Sequence, residues 1–491
     1  MNKRMVLYML GKILMLESAL LVLPFVCALI YKEDISYCYV YTIAIAAAAG
    51  ALLMFIGRPR NKAIFAKEGF AIVALTWIFM SAIGALPFIF SGVITNYTDA
   101  FFETVSGFTT TGASVIADVE TVPKSIHLWR SLTHWVGGMG VLVLVMAIVP
   151  NDTGRSMHIL RAEMPGPIVG KLVPKVTTTA KILYLIYVFM TALEIILLFA
   201  GGMPLYDSIF HSFGTAGTGG FGIKQDGLAG YSPYCQWVIT VFMLLFGINF
   251  NIYYLILMRK FRSALKSEEM WTYIGIVLVS TGIVTAYIYP IYENVIDSFR
   301  YSAFQVASII STTGFSTADF NLWPSAAKAV LLILMFVGAC AGSTAGGFKI
   351  SRLIIVFKQI KANLRQMLHS RSVSSVKFEG KNVDIATVIN VSSYLAIYCL
   401  CYIVIFLMIS IIDNFSLETN ISAAAACFNN IGPGFDVVGP ASNYSYYSVA
   451  STWILSAAML LGRLEIMPII LLFAPSAWIK IKNIKKKRRV T

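Results

Sequence analysis

Charge is scarce in this chain. Of its 491 residues only 13% are Asp, Glu, Lys or Arg, and 58% are hydrophobic. A soluble globular domain carries about 25% charged residues. The deficit excludes an ordinary water-soluble core and leaves a polytopic membrane protein. Cysteine is also thin: there are seven, and most lie inside apolar runs (Cys27, Cys340, Cys399, Cys401, Cys427). They form neither a disulfide framework nor a CxxC metal pair. A zinc-protease motif, a paired-carboxylate site and a Ser/His/Asp set are all missing, so no enzyme chemistry is expected. Two glycine-rich stretches imitate nucleotide motifs and fail. Gly217-Thr218-Gly219-Gly220-Phe221-Gly222 fits G-x-G-x-x-G, but a dinucleotide fold needs a strand before it, a helix after it and an acid about 20 residues on. Here the context is a re-entrant stretch between apolar runs. Gly342-Ser343-Thr344-Ala345-Gly346-Gly347-Phe348-Lys349 lacks the G-K-[ST] core, because Phe348 separates Gly347 from Lys349. The net charge of +14 does not imply nucleic acid either. The basic residues sit just outside apolar runs, as interfacial topology signals do.

What the sequence has in abundance is apolar runs near the length of about 20 residues that spans a bilayer. The first, Val6–Ile30, follows Lys3 and Arg4 and is too long for a signal-peptide core. It is expected to be a retained helix, with a second over Tyr39–Ile56. From about Gly69 the same plan recurs four times: apolar run, short amphipathic segment, Thr/Gly stretch, apolar run. Unit one has helices near Phe70–Phe90 and Leu128–Val149; unit two, Ala180–Ala200 and Gln236–Met258; unit three, Trp271–Tyr289 and a long run Ala326–Ile360; unit four, Ile385–Ile412 and Ser448–Ile479. Repetition at intervals of roughly 100 residues marks one supersecondary unit in tandem. The expected fold is therefore an all-α polytopic membrane protein, with four helix–pore loop–helix units around one pore and two extra N-terminal transmembrane helices. The boundaries fall at 1–66 for the two leading helices, 67–155, 156–266 and 267–366 for units one to three, 367–383 for a linker, and 384–491 for unit four and a basic tail.

The Thr/Gly stretches are the candidate ion filter: Thr110, Thr111, Gly112; Gly217, Thr218, Gly219; Thr312, Thr313, Gly314; Asn430, Ile431, Gly432. Backbone carbonyls can replace an ion's water shell, and glycine permits the left-handed geometry that aims them inward. Asp99, Asp207, Asp297 and Glu418 lie ahead of the four filters, where a helix N-terminus stabilises acids and where they could raise cation density at the mouth. The basic residues collect at the amino terminus, Arg58 to Lys67, Arg155 to Lys181, Arg259 to Lys266, Lys358 to Lys381 and Lys480 to Arg489. Ten spans then place both termini and every basic loop in the cytoplasm, with the filters open outward.

Two features break the apolar pattern. Ten small residues, Gly338 to Gly347, interrupt the second helix of unit three. A loop inside the membrane is tolerated only where it is buried in protein or lines water, so Gly338, Gly342, Ser343, Thr344, Gly346 and Gly347 are candidate gate residues beneath the filter. Arg463 lies inside the last apolar run, where a lone guanidinium normally faces a cavity or a partner. Glu465 is two residues away and does not share its helix face.

These residues carry a family resemblance across nearly the whole chain. The four filter segments, His134-Trp135-Val136-Gly137-Gly138-Met139-Gly140, the Gly342–Gly347 stretch, Asn429–Gly434 and Gly462-Arg463 together resemble the Trk/Ktr/HKT superfamily of potassium transporters. The two leading helices are similar to the TrkH/TrkG type. The resemblance implies K⁺ uptake across the bacterial inner membrane by a homodimer in contact with membrane lipids. It also implies a cytoplasmic TrkA-like nucleotide-binding subunit, no tightly bound cofactor, a gating loop at Gly338–Gly347, and Arg463 in the ion path. Unit two carries more glycine than the family pattern, and Gly222 stands where a serine is common. Some plant relatives with serine at the first filter glycine pass Na⁺. Glycine at Gly112, Gly219, Gly314 and Gly432 favours K⁺ over that Na⁺ or mixed alternative. An ion-coupled carrier of a small solute, built on inverted repeats, fits less well, since each unit here repeats in one orientation.

Overall fold

The structure is a computed structural model, and it describes residues 2–59, 66–140, 176–369 and 375–473. Arg60, Lys62, the expected continuation of unit one's second helix to Val149, the basic stretch from Arg155, Arg371 and the tail from Lys480 to Arg489 lie outside the described residues.

Among the described residues, six helices are long and apolar enough to cross a membrane. They are the leading pair (Lys3–Ile30 and Ser36–Ile56) and the first helix of each unit: Lys67–Phe90, Thr178–Ala200, Glu268–Tyr292 and Ile385–Ile412. The last of these shows how such a rod is specified. Asp384 caps its start by accepting from Thr387 N, 28 residues give about 42 Å of helix, and Leu400, Leu407 and Ile411 are exposed where lipid would lie. The leading pair packs through small residues. A Cβ on Gly11 would come within 2.6 Å of Gly50 O, the close backbone approach that glycine permits between membrane helices.

The four pore helices run Tyr97–Phe108, Leu205–Gly217, Val295–Ile310 and Leu417–Phe428. The side chains of Asn96, Asn294 and Ser416 cap three of them. The four acids stand in the first turns, beside the caps rather than as caps.

The second helices of units two and four depart from the expected single span, while the break in unit three falls where the ten small residues predict it. In unit two, Pro233–Phe246 and Phe250–Leu257 meet at 91°. In unit three, Ser325–Val337 is separated from Ile350–Leu368 by twelve non-helical residues, 338–349. In unit four, Val449–Arg463 stops before Met467–Phe473. In unit one, Lys124–Gly138 ends at Gly138. Only the unit-three break is signalled by a long run of small residues. The breaks in units two and four are hidden by their brevity: Gly247-Ile248-Asn249 reads as part of an apolar stretch, and Asn249 then caps the new helix by accepting from Asn251 N. The freed backbone groups are not left bare. Gly247 O accepts from Cys340 N at 3.1 Å, and Phe250 N donates to Gly342 O at 3.0 Å, so the break in unit two is stitched to the loop of unit three.

Candidate functional site

All four pore helices end in the same turn. The residue after the last helical turn is left-handed in each: Thr110 (φ 57°), Thr218 (58°), Thr312 (57°) and Asn430 (56°). The next N–H reaches back five residues at 2.8 Å: Thr111 N to Ser106 O, Gly219 N to Gly214 O, Thr313 N to Ser308 O, and Ile431 N to Ala426 O. This is a Schellman closure, normally made with glycine at the left-handed position. Here three threonines and an asparagine occupy it, at roughly 1–2 kcal/mol each for the side chain.

This shared turn sets the register and corrects the sequence alignment in unit two by one residue. Gly219 occupies the place of Thr111, Thr313 and Ile431, and Gly220 is the counterpart of Gly112, Gly314 and Gly432. Gly217 is the last helical residue. Consecutive glycines at 219 and 220 made the two alignments indistinguishable by composition. Gly112, Gly314 and Gly432 have positive φ, and Gly220 is not among the positive-φ glycines. Conformational freedom is thus not the common reason for glycine. Space is. A Cβ on Gly112 would stand 2.7 Å from Gly220 N, one on Gly220 2.4 Å from Thr313 O, one on Gly314 1.9 Å from Ile431 O, and one on Gly432 2.6 Å from Thr111 O. The approaches run one to two, two to three, three to four and four to one. They close a ring of four backbones with no room for a side chain between them.

On one side of the ring lies a cavity of about 100 Å³ lined by all four units, including Gly112, Gly220, Gly314 and Gly432. None of the four pore-helix acids lines it. Asp207 accepts from Tyr231 Oη at 2.8 Å, Asp297 pairs with Arg300 at 2.8 Å, Glu418 pairs with Lys328 at 2.7 Å, and Asp99 lines a separate surface groove. Their direct pull on a cation at the ring is therefore small. The opposite, partially negative ends of the same helices converge on the ring and favour a cation there. At the rim, the Ser416 and Thr419 hydroxyls hold the Asp436 carboxyl below the ordinary carboxylate range.

On the other side lies a cavity of about 40 Å³ lined by Gly342, Ser343, Gly346, Gly347, Arg463 and Lys349, with Trp77 and Glu465 among the remainder. The loop 338–349 packs directly under the ring. Gly346 N donates to Thr312 Oγ1 at 2.6 Å, and a Cβ on Gly346 would lie 2.3 Å from Asn429 O. Gly338, Gly342 and Gly347 supply positive φ. Arg463 ends its helix here. Its Nη1 donates to Thr344 O at 2.8 Å, and its Nη2 donates to Gly137 O at 2.5 Å and Gly138 O at 2.8 Å. One guanidinium thereby ties the helix end of unit one and the loop of unit three to the helix end of unit four. Thr344 Oγ1 reaches Phe246 O of unit two at 3.3 Å. Glu465 pairs with Arg352 at 2.6 Å rather than with Arg463.

Several residues at this site escaped the sequence reading. Lys349 is buried, and its Nζ donates to Ala345 O; only its failed phosphate-loop context had drawn notice. Glu269, at the start of unit three's first helix, accepts from Ala341 N at 2.7 Å and Ser351 N at 3.1 Å, holding both ends of the loop. Arg130, near the start of unit one's second helix, forms a buried ion pair with Glu103 at 2.8 Å. A charged residue beside apolar or small neighbours was the signal for Lys349 and Arg130; Glu269, next to Glu268 at a helix start, gave none.

The comparisons with known proteins agree with this architecture. The family model TrkH, described as cation transport protein, matches residues 36–481. The chain is 36% identical to the Trk system potassium uptake protein TrkH of Salmonella typhimurium over 487 residues, covering 97% of this chain and 100% of that one. It is 32% identical to the Trk system potassium uptake protein TrkG of Escherichia coli K12, covering 97% and 98%. The crystal structure of the potassium transporter TrkH from Vibrio parahaemolyticus superimposes with a TM-score of 0.87 at 30% identity, covering 98% of this chain and 100% of that one. With the family model and whole-length relatives in agreement, this chain belongs to the TrkH family of cation transport proteins.

Proposed function

We propose that this chain takes up potassium ions across the bacterial inner membrane, with the four-unit glycine ring as selectivity filter. The loop Gly338–Gly347 and Arg463 form its gate. The observation that carries the reading is the closed ring itself. Four backbones approach in cyclic order with no side chain between them, and four pore-helix C-termini converge on it. Carbonyls fixed in such a ring can replace a cation's water shell. The whole-length relatives named as potassium uptake proteins favour K⁺ as the ion.

Beneath the ring an ion meets the loop as a steric plug and Arg463 as an electrostatic barrier. A positive charge about 7 Å from a monovalent cation costs about 2 kcal/mol at an effective dielectric near 20. That slows passage by more than about tenfold without abolishing it. The basic loops place both termini in the cytoplasm. The long helix Ile350–Leu368, with Lys358, Lys361 and Arg365, together with Lys377 and Lys381 of the linker, offers a basic surface for a cytoplasmic nucleotide-binding subunit of the TrkA kind. The assembly is a homodimer. The test is ion flux in proteoliposomes with K⁺, Rb⁺, Na⁺ and Li⁺, with and without a pH gradient. K⁺ and Rb⁺ are expected to cross ahead of Na⁺ and Li⁺; equal Na⁺ and K⁺ rates would overturn the assignment of K⁺ as the selected ion.

A further inference from the structure

The four units do not hold their filters from behind in the same way. Seven residues before the left-handed position, each pore helix presents a different side chain: Glu103, His211, Gln305 and Ala423. All four are buried. In unit three, Gln305 Nε2 and Ser308 Oγ donate to Phe315 O, at 3.4 and 2.6 Å, just past the filter glycine. In unit four, Phe435 N donates to Ser422 Oγ at 2.8 Å. In unit one, Glu103 accepts from Val115 N and Ser114 Oγ, both at 3.0 Å. Each of these three pore helices ties down the strand that follows its own filter. Unit two does not repeat this next to its filter: among the described residues neither ring nitrogen of His211 has a hydrogen-bond partner, and its pore helix meets the following segment farther on, where Tyr231 Oη donates to Asp207.

Unit two is held instead from unit one. Arg130, paired with Glu103, donates from Nη1 to Gly222 O at 3.3 Å and from Nη2 to Ser114 Oγ at 3.1 Å. Its guanidinium lies 4.1 Å over the ring of Phe221. Phe221 in turn stacks on His134 of unit one at 4.2 Å, and His134 Nδ1 is 2.8 Å from Gly107 O. A Cβ on Gly219 would strike that same imidazole. The remaining unit junctions past the ring are closed by backbone N–H donors: Leu228 N to Ser316 O, Asp436 N to the Asn321 side-chain Oδ1, and Tyr444 N to Ser114 O. Between units one and two the exposed rim has Gln225 Nε2 donating to Ala117 O, and the buried link is Arg130. The segment braced in this way is the most glycine-rich of the four, and glycine gives the backbone the most freedom to move.

We infer that Glu103 and Arg130 are a positioning pair that sets the ion preference of the filter by bracing unit two's segment from unit one. Glu103 fixes the guanidinium, and the guanidinium fixes Phe221 and Gly222. Neither residue needs to touch the ion. With the brace loosened, the Gly219–Gly220 backbone can relax around a smaller cation, and discrimination by a fixed carbonyl cage falls. Removing only the carboxylate charge would also leave an uncompensated buried cation on the wall of the cavity above the ring, which Arg130 lines.

The inference rests on the glycine ring being the ion-selecting element, and the experiment separates the two. K⁺ and Na⁺ flux per folded molecule are measured in proteoliposomes for wild type, Glu103→Gln, Arg130→Gln, the double variant and Gly112→Ser. Glu103→Gln and Arg130→Gln are each expected to lower the K⁺/Na⁺ flux ratio by about three- to tenfold. The double variant should be no worse than the poorer single, because the two residues act as one unit. Ser114→Ala is a milder variant that keeps the ion pair, and it should shift the ratio in the same direction by less. If Gly112→Ser alters the ratio while none of the brace variants does, the brace is only structural and the inference fails. If Gly112→Ser also leaves the ratio unchanged, the ring is not the selecting element. Should the two charge variants fold poorly, the ratio in Ser114→Ala decides: an unchanged value overturns the brace.

Discussion

The two sides of the glycine ring obey different rules. At the ring the four units are near copies. They share the left-handed residue, the five-residue closure at 2.8 Å and a glycine with no room for a Cβ. Beneath it they have diverged: a long loop in unit three, an arginine in unit four, a sharp bend in unit two and a helix end in unit one. An ion stripped of water needs equivalent ligands all round, so the ring constrains every unit alike. A gate needs one movable part and one fixed charge, and a single unit can supply each. On the proposed reading, symmetry is kept where the ion would be held and lost where its passage would be regulated.

The largest expected effect is at the ring. Gly314→Ala puts a Cβ 1.9 Å from Ile431 O, a backbone atom, at φ 85°. Both the clash and the left-handed conformation oppose the substitution, and K⁺ flux per folded molecule is expected to fall at least about a hundredfold, some 2.7 kcal/mol in barrier. Gly275→Ala, in the first helix of unit three, is the control. Its Cβ would meet nothing within 4 Å, with no left-handed strain, and flux should stay within about twofold, as for most tolerated surface changes. Equal losses in the two variants would break the claim that the ring is a close-packed closure rather than a run of incidental glycines.

The underside is expected to respond in the opposite direction. Arg463→Ala removes the charge from the cavity beneath the ring. Flux per folded molecule should rise about tenfold, given a barrier of about 2 kcal/mol at an effective dielectric near 20. The substitution also strips donors from Thr344 O, Gly137 O and Gly138 O, so folded yield is expected to fall. Measuring yield and flux on the same preparation separates the effects. Flux at or below wild type would show that Arg463 only fastens the helix breaks together.

How much of this was legible in the sequence follows the same division. The pore helices begin within two residues of Asp99, Asp207, Asp297 and Glu418, the acids picked out ahead of the filters, because a repeated apolar–amphipathic–Thr/Gly plan is reinforced four times over. The loop at 338–347 was legible because ten small residues in a row favour a loop over a packing stripe. The short breaks at Gly247-Ile248-Asn249 and Leu464-Glu465-Ile466 were not, since a bend of three residues leaves hydropathy almost unchanged. The register of unit two was ambiguous by one glycine until the hydrogen bond from Gly219 N to Gly214 O fixed it. Pairings across units, such as Arg130 to Gly222 O or Arg463 to Thr344 O, have no local signal at all. Hydropathy and spacing could mark Arg463 as an outlier but could not say what it touches.

The smallest expected effect lies where the two sides meet, at the left-handed threonines. Thr218 and Thr312 occupy the same position in units two and three, with φ of 58° and 57°. Among the described residues Thr218 Oγ1 bonds only its neighbour Gly217 O, at 2.6 Å, whereas Thr312 Oγ1 accepts from Gly346 N of the loop at 2.6 Å. Replacing either by glycine relieves roughly 1–2 kcal/mol of left-handed strain. It also loosens the unfolded chain, which takes back about 0.4–1 kcal/mol. Thr218→Gly should therefore be neutral to slightly stabilising in thermal unfolding. Thr312→Gly has the same gain but leaves the buried Gly346 N–H without its acceptor, a loss of about 1–3 kcal/mol. It should melt lower than Thr218→Gly. Because the lost bond is one that seats the loop against the ring, its K⁺ flux should rise about twofold, as expected for a fraction of a kcal/mol, while Thr218→Gly leaves flux unchanged. Identical melting and identical flux in the two variants would mean that the ring and the loop are merely neighbours, and that the symmetric and asymmetric halves of the molecule are not coupled through Thr312.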